Sequence, residues 1–231
     1  MSNTATAMAT KNETTLSIDK VPDFLQNSNL GNENVGADDL QTPRIKLLQQ
    51  LSPELDESSA SYVEGAKQGN MLNTVTGTIH DTLYAVNIFY TREFAVYSKR
   101  ELGGGGFHGS ASTESEAMSR INEIGGTPDS HIIRETGKHI LLLLNEDTYE
   151  PSSEAMMLMD GSKLTVSNQW NSKLRMQNTD RFASVWKISS VRQSNSKGQW
   201  WNFSINFHGW VDKELHEHVK LLYNRLTNSK G

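Results

Sequence analysis

Cysteine is absent from the sequence, which excludes a disulfide framework and a thiolate metal site and fits a reducing compartment such as the cytoplasm. Long apolar runs are absent too. The run at residues 140–144 is the length of a strand and, like every other, far short of the ~18 residues that a membrane span needs, so no membrane partner is expected. The first residues lack the basic-then-apolar layout of a secretory signal. Apolar residues make up 35% of the 231-residue chain, low for a fully packed globule, so part of it is expected to lie outside any core. The length suits one well-cored domain with appendages, or two small domains.

Anions are nearly missing from one stretch. The whole chain carries −5, which taken as an average argues against a nucleic-acid partner. Between residues 161 and 210, however, Lys163, Lys173, Arg175, Arg181, Lys187, Arg192 and Lys197 face a single anion, Asp180. That window carries +6 and leaves −11 for the remainder. All five tryptophans (Trp170, Trp186, Trp200, Trp201 and Trp210) fall inside it. A positive field attracts phosphates, and aromatic faces accept unstacked bases. The plainer alternative, tryptophans as core and Lys/Arg as solvated surface, leaves the clustering unexplained.

Residues 1–38 are rich in Ser, Thr, Asn and Ala, without a sustained period, and read as a disordered acidic arm with a short apolar stretch at Val21-Pro22-Asp23-Phe24-Leu25. Order is expected from residue 39. Residues 83–90 and 93–98 are β-branched and aromatic, and form either two strands around Thr91-Arg92 or one long bent strand. The glycines at 103–106 lack the Lys-Ser/Thr of a phosphate loop and read as a hinge. A helix is expected over 112–124, and residues 100–137 as a whole read as a flexible insertion. Strands follow at 138–145 and 154–159, then a helix at 163–176 capped by Ser162. Residues 182–188 and 200–207 alternate strictly around Asn195-Ser196-Lys197-Gly198, which specifies a hairpin. Asp212 is placed to cap a final amphipathic helix over 212–227.

The expected fold is therefore mainly β with flanking helices, a single domain over residues 39–231. From residue 83 the order is strand, insertion, strand, strand, helix, strand, strand, helix. A five-stranded OB-like barrel places its helix between the third and fourth strands, and such barrels bind oligonucleotides or oligosaccharides. The segment Thr42-Pro43-Arg44-Ile45-Lys46-Leu47-Leu48-Gln49, followed by Ser52-Pro53, Gly65-Ala66 and Gly69-Asn70, resembles the start of a widespread group of small bacteriophage replication-module proteins. Trp170-Asn171-Ser172-Lys173-Leu174 and the hairpin turn Ser194-Asn195-Ser196-Lys197-Gly198 resemble the same group. Its members are identified as single-stranded DNA-binding proteins; the similarity spans residues 40–211 and its motifs serve packing and turns. It implies a homo-oligomer that protects or organises single-stranded DNA during phage replication or recombination in the host cytoplasm. Proteins of this function commonly end in an acidic tail that recruits replication partners. This sequence ends Asn228-Ser229-Lys230-Gly231, so the N-terminal arm is the expected contact for replication proteins.

On the last strand, alternation puts Trp201, Phe203, Ile205 and Phe207 on an apolar face that should be core. Trp200, Asn202, His208 and Trp210 share the other face with Ser204 and Asn206, a setting suited to base stacking with hydrogen bonding. Lys187, Arg192 and Lys197 are expected on the exposed side or at the tip, there to neutralise phosphates. Trp170, with Lys173 and Arg175 nearby, is either a second contact or a pin that fixes its helix. Trp186 groups with Phe182 and Ile188 as core. No cofactor, metal or enzymatic activity is expected: His216 and His218 diverge on a helix, His131 and His139 lack a partnered nucleophile, and no carboxylates have two-metal spacing. Three other functions use the same residues. A strand-annealing recombinase would form large rings, a carbohydrate-binding module would not need the +6 window, and a phage assembly protein would use the aromatics as an oligomer interface.

Overall fold

Alternating sequence in the C-terminal half folds as long antiparallel strands. A computed structural model describes residues 30–36, 39–99, 106–196 and 198–228. The chain divides into a unit Met1–Gln41 and a unit Thr42–Gly231. The described part of the first unit is a run of turns held by local bonds, Gly31 N–H to the Glu33 carboxylate and Gly36 N–H to that of Asp39. Most of the expected acidic arm, with the stretch 21–25, lies outside the described residues, as do Gly103 to Gly105 and Lys197.

In the second unit β1 (Ile45–Leu47), β2 (Met71–Asn73) and β3 (Ile79–His80) form a small antiparallel sheet. The main sheet comprises β4 (Thr82–Ser98), β5 (Phe107–Ala111), β6 (His131–Leu144), β7 (Pro151–Asp160), β8 (Ser184–Asn195) and β9 (Gly198–Trp210). Helices α1 (Glu114–Glu123), α2 (Ser162–Met176) and α3 (Lys213–Asn228) flank it. The fold is mainly β with flanking helices, as expected. β4 is one strand of 17 residues, so Thr91 and Arg92 make no turn and pair with Lys138 and Gly137 of β6. Within the span expected as an insertion, residues 106–137 hold β5, α1 and the first half of β6, closed over a small core of Val96, Ala117 and Ile121. Thr113 caps α1 through its hydroxyl, which accepts from Glu116 N–H. Ser162 does not cap α2; Gly161 holds the cap position at φ +53° and Ser162 is the first helical residue.

The main sheet runs β7-β6-β4-β8-β9, with β5 beside the far half of β4. Side chains alternate between two cores. One face joins Leu141, Met157, Trp186, Ile188, Phe203 and Ile205 to Trp170 and Leu174 of α2 and Ile45 of β1. The opposite face presents Val86, Ile88, Leu142 and Val185 to Val219, Leu222 and Tyr223 of α3. That amphipathic helix starts where Asp212 Oδ1 accepts from Leu215 N–H at 2.8 Å, the expected cap.

Among the described residues no ladder joins β7 to β9, so the sheet is open and its two edges need other partners. Residues 43–49 supply them. On β7, Met156 N–H donates to Pro43 C=O at 2.7 Å. On β9 the Gln49 side chain acts as a strand: its Oε1 accepts from Trp201 N–H at 2.9 Å and its Nε2 donates to Trp201 C=O at 3.0 Å. Further along the same edge, Asn202 Oδ1 accepts from Phe203 N–H and Lys173 Nζ donates to Ile205 C=O at 3.0 Å. Gln49 is itself fixed by Ser52, whose Oγ accepts its backbone N–H. Gly69, at φ +87°, backs onto Trp201, and a Cβ there would sit 2.7 Å from the indole, so only glycine fits.

A polar network lies under α2. His139 is fully buried, stacked at 4.8 Å on Trp170. Arg181 Nε donates to Asn87 Oδ1, which turns the Asn87 amide nitrogen toward His139 Nδ1 at 2.9 Å. His139 Nδ1 therefore accepts, and Nε2–H donates to Ser167 Oγ at 2.8 Å. Burial, and secondarily the charge of Arg181, pushes the His139 imidazole from its usual 6.5 down to about 3.

Two outcomes follow from these contacts. Gln49→Ala strands both polar groups of the Trp201 peptide and should lower stability by about 1–3 kcal/mol in urea unfolding; an unchanged midpoint would show that water caps this edge equally well. The unfolded chain binds a proton at His139 near pH 6.5 and the folded chain does not until about 3, so stability falls as pH drops through that window. His139→Gln should flatten this pH dependence of the melting temperature, and a slope equal to wild type would refute the assignment.

Candidate nucleic-acid interface

The β8–β9 hairpin carries most of the proposed contacts, and its register decides where each one points. Val185 opposes Gly209 and Trp186 opposes Phe207, which leaves His208 as an extra, bulged residue. Alternation reverses there. Trp210 consequently leaves the face of Trp200 and joins Phe207, ring against ring at 5.2 Å. Phe207, expected as core, is 47% exposed, because the inner core ends at Trp186 and Ile205.

The reversal opens an aromatic cleft. Trp210 is 58% exposed and His208 is exposed, and both line a cleft of about 790 Å³ with Tyr149, Glu150, Asp212, Glu214 and His218. Tyr149 sits in the β6–β7 loop at φ +58°, a left-handed conformation uncommon for a bulky residue. Its hydroxyl lies 3.1 Å from His208 Nε2, and its ring meets Tyr84 edge-on at 5.1 Å. Tyr84 also contacts His208 at 4.7 Å and has the Lys187 ammonium over its ring at 5.8 Å. Tyr84 and Tyr149 escaped the sequence reading, since only folding brings a strand residue and a loop residue 65 positions apart together. The one available signal was an aromatic among the polar residues of a turn.

At the other end of β9, Trp200 is half-buried and its indole N–H donates to Gln193 Oε1 at 3.1 Å. Arg192 is exposed beside it and bonds the Gln199 side chain. Ten residues at about 3.3 Å each put the two tryptophans ~33 Å apart.

Two expected contacts are buried instead. Trp170 is 1% exposed, pinned between His139 and Trp186, and offers no face to a ligand. Asn202 is 2% exposed, because its amide is taken up by Ser162 C=O, Gln193 Oε1 and Phe203 N–H. Lys173 is exposed and donates one of its ammonium hydrogens to Ile205 C=O at the edge of β9.

The basic window sorts in the same way. Lys163 pairs with Asp160. Arg181 lies among Asn87, Asn171 and the Tyr90 ring, and burial lowers its guanidinium to about 10. Arg175, Lys187 and Arg192 are exposed and pair with no carboxylate among the described residues. By contrast Lys46, Arg92, Arg134, Lys138 and Arg225, outside the window, all hold carboxylates. Within the described residues no three His, Asp or Glu side chains gather as a metal site, and no helix is long and apolar enough to cross a membrane.

No curated protein and no solved structure matches the chain. The family model described as Pam3 phage gp34-like protein matches residues 10–231, which takes in both sheets, the hairpin and the aromatic cleft. The chain belongs to the Pam3 phage gp34-like protein family.

Proposed function

We propose that this phage-family protein binds single-stranded DNA without turning it over and protects or organises it during phage replication or recombination. One observation carries the proposal: a single hairpin bears aromatics at both ends, the half-buried Trp200 and the exposed Trp210–His208–Tyr149 cleft, and two cations, Lys187 and Arg192, that pair with no carboxylate among the described residues. Stacking and phosphate neutralisation are the two parts of sequence-independent single-strand binding. A separation of ~33 Å between the tryptophans suits an extended strand and not a single nucleotide.

The strand order supports an OB-type architecture for this function. Taking β4, β6, β7, β8 and β9 as first to fifth, the sheet runs third-second-first-fourth-fifth, and α2 falls between the third and fourth. In such barrels the connections between first and second and between fourth and fifth strands flank the ligand. Here these are the β5–α1 arm and the β8–β9 tip. Residues 43–49 would stand in for direct pairing of the third and fifth strands. Assembly of several copies along a strand, and contact with replication proteins through residues 1–38, belong to the same proposal.

Fluorescence anisotropy with a labelled mixed-sequence oligonucleotide tests it. Single strands should bind tighter than duplex, and affinity should fall steeply between about 50 and 200 mM salt. Lys187→Ala should reduce the salt slope by about one. Trp210→Ala should melt like wild type and lose about 1–3 kcal/mol of binding, the worth of one stacked base. Trp170→Ala should instead lose ~3–5 kcal/mol of stability, as large core truncations do. Equal affinity for duplex, or binding indifferent to both Lys187 and Trp210, would remove the basis for the proposal.

A further inference from the structure

The cleft at the start of α3 differs in chemistry from the rest of the hairpin. Its walls are rings, those of Trp210, Tyr149 and His208. Its loop is fixed in place: Tyr149 N–H donates to Asn145 C=O, and Asn145 Oδ1 accepts from Asp147 and Thr148 N–H. Those bonds hold Tyr149 at its positive φ, the kind of local strain that persists where a side chain must be aimed. Among the described residues the carboxylates Glu150, Asp212 and Glu214 line it together with His208 and His218, and no Lys or Arg does. Lys187 stands outside, over Tyr84.

This combination excludes a phosphate and admits a flat ring that brings hydrogen-bond donors. The phosphodiester chain would stay on the Lys187 side while one base enters. We infer that the cleft is a base-binding subsite that prefers an amino-bearing base, cytosine, to thymine. The inference rests on the proposal that the hairpin binds single strands. Cytosine presents the two donors of its N4 amine, whereas thymine offers a single N3–H between O2 and O4, acceptors that a carboxylate repels. Glu214 is the selecting group. Asp212 is engaged as the cap of α3, and Glu150 accepts from the Thr148 hydroxyl. Glu214 makes no ion pair among the described residues.

The test compares oligo-dC with oligo-dT of equal length near neutral pH, by anisotropy with wild type and Glu214→Ala, alongside the Trp210 indole signal in NMR spectra. Wild type should bind oligo-dC about five- to tenfold tighter, with the Trp210 signal shifted, and Glu214→Ala should remove most of that difference. Both oligonucleotides bound equally, oligo-dT bound tighter, or the preference intact in Glu214→Ala, overturns the subsite while leaving single-strand binding in place. If neither binds and a lysine-rich peptide shifts the Trp210 signal, single-strand binding fails too and the occupant is a basic protein segment.

Discussion

The structure depends on how an open sheet closes its edges. β7 and β9 each expose a row of backbone donors and acceptors, and unpaired edges invite pairing with other chains. Backbone from Pro43 covers one edge; the Gln49 amide, the Asn202 amide and the Lys173 ammonium cover the other. β9 is thereby fixed on both sides, by β8 through its ladder and by side chains along its outer edge. That rigidity matters because Trp200, His208 and Trp210 all ride on β9. A stacking platform on a frayed strand would lose affinity to the cost of ordering it.

The charge pattern of the sequence resolves into two populations under the same logic. Lys163, Lys173 and Arg181 hold the fold together, by an ion pair, a strand edge and a buried amide network. Arg175, Lys187 and Arg192 face solvent, and so does Lys173 beyond its one bond. Among the described cations of the window, only Lys163 pairs with a carboxylate. Four acidic residues, Glu93, Glu135, Glu154 and Asp160, pair with cations on β4, β6 and α3, and Glu150, Asp212 and Glu214 line the aromatic cleft.

Much of this was legible in the sequence where the signal is local. Strict alternation around Asn195 to Gly198 specified the hairpin, and the Asp212 cap with its amphipathic run specified α3. Trp186 was placed in the core by its neighbours Phe182 and Ile188, and it is buried with them. The missing parts are tertiary. A one-residue bulge at His208 reversed the face of Trp210, and alternation has no way to register an extra residue. Asn202 looked exposed among polar neighbours, yet α2 begins against it and buries its amide. The first half of β6 is mixed in polarity because it extends beyond the main core with β4 and β5, so it read as insertion. Tyr149 joins the site only because the β6–β7 loop folds back to β9.

The central claim is that one hairpin and its cleft form the binding surface. Hydrogen–deuterium exchange with and without saturating single-stranded oligonucleotide tests this most directly, since it reports on every backbone amide without assuming a contact. Slowed exchange should appear at residues 187–193, 199–201 and 208–212 and in the loop at 147–150. Protection confined to α1 and β5, or none anywhere at saturation, would contradict the account.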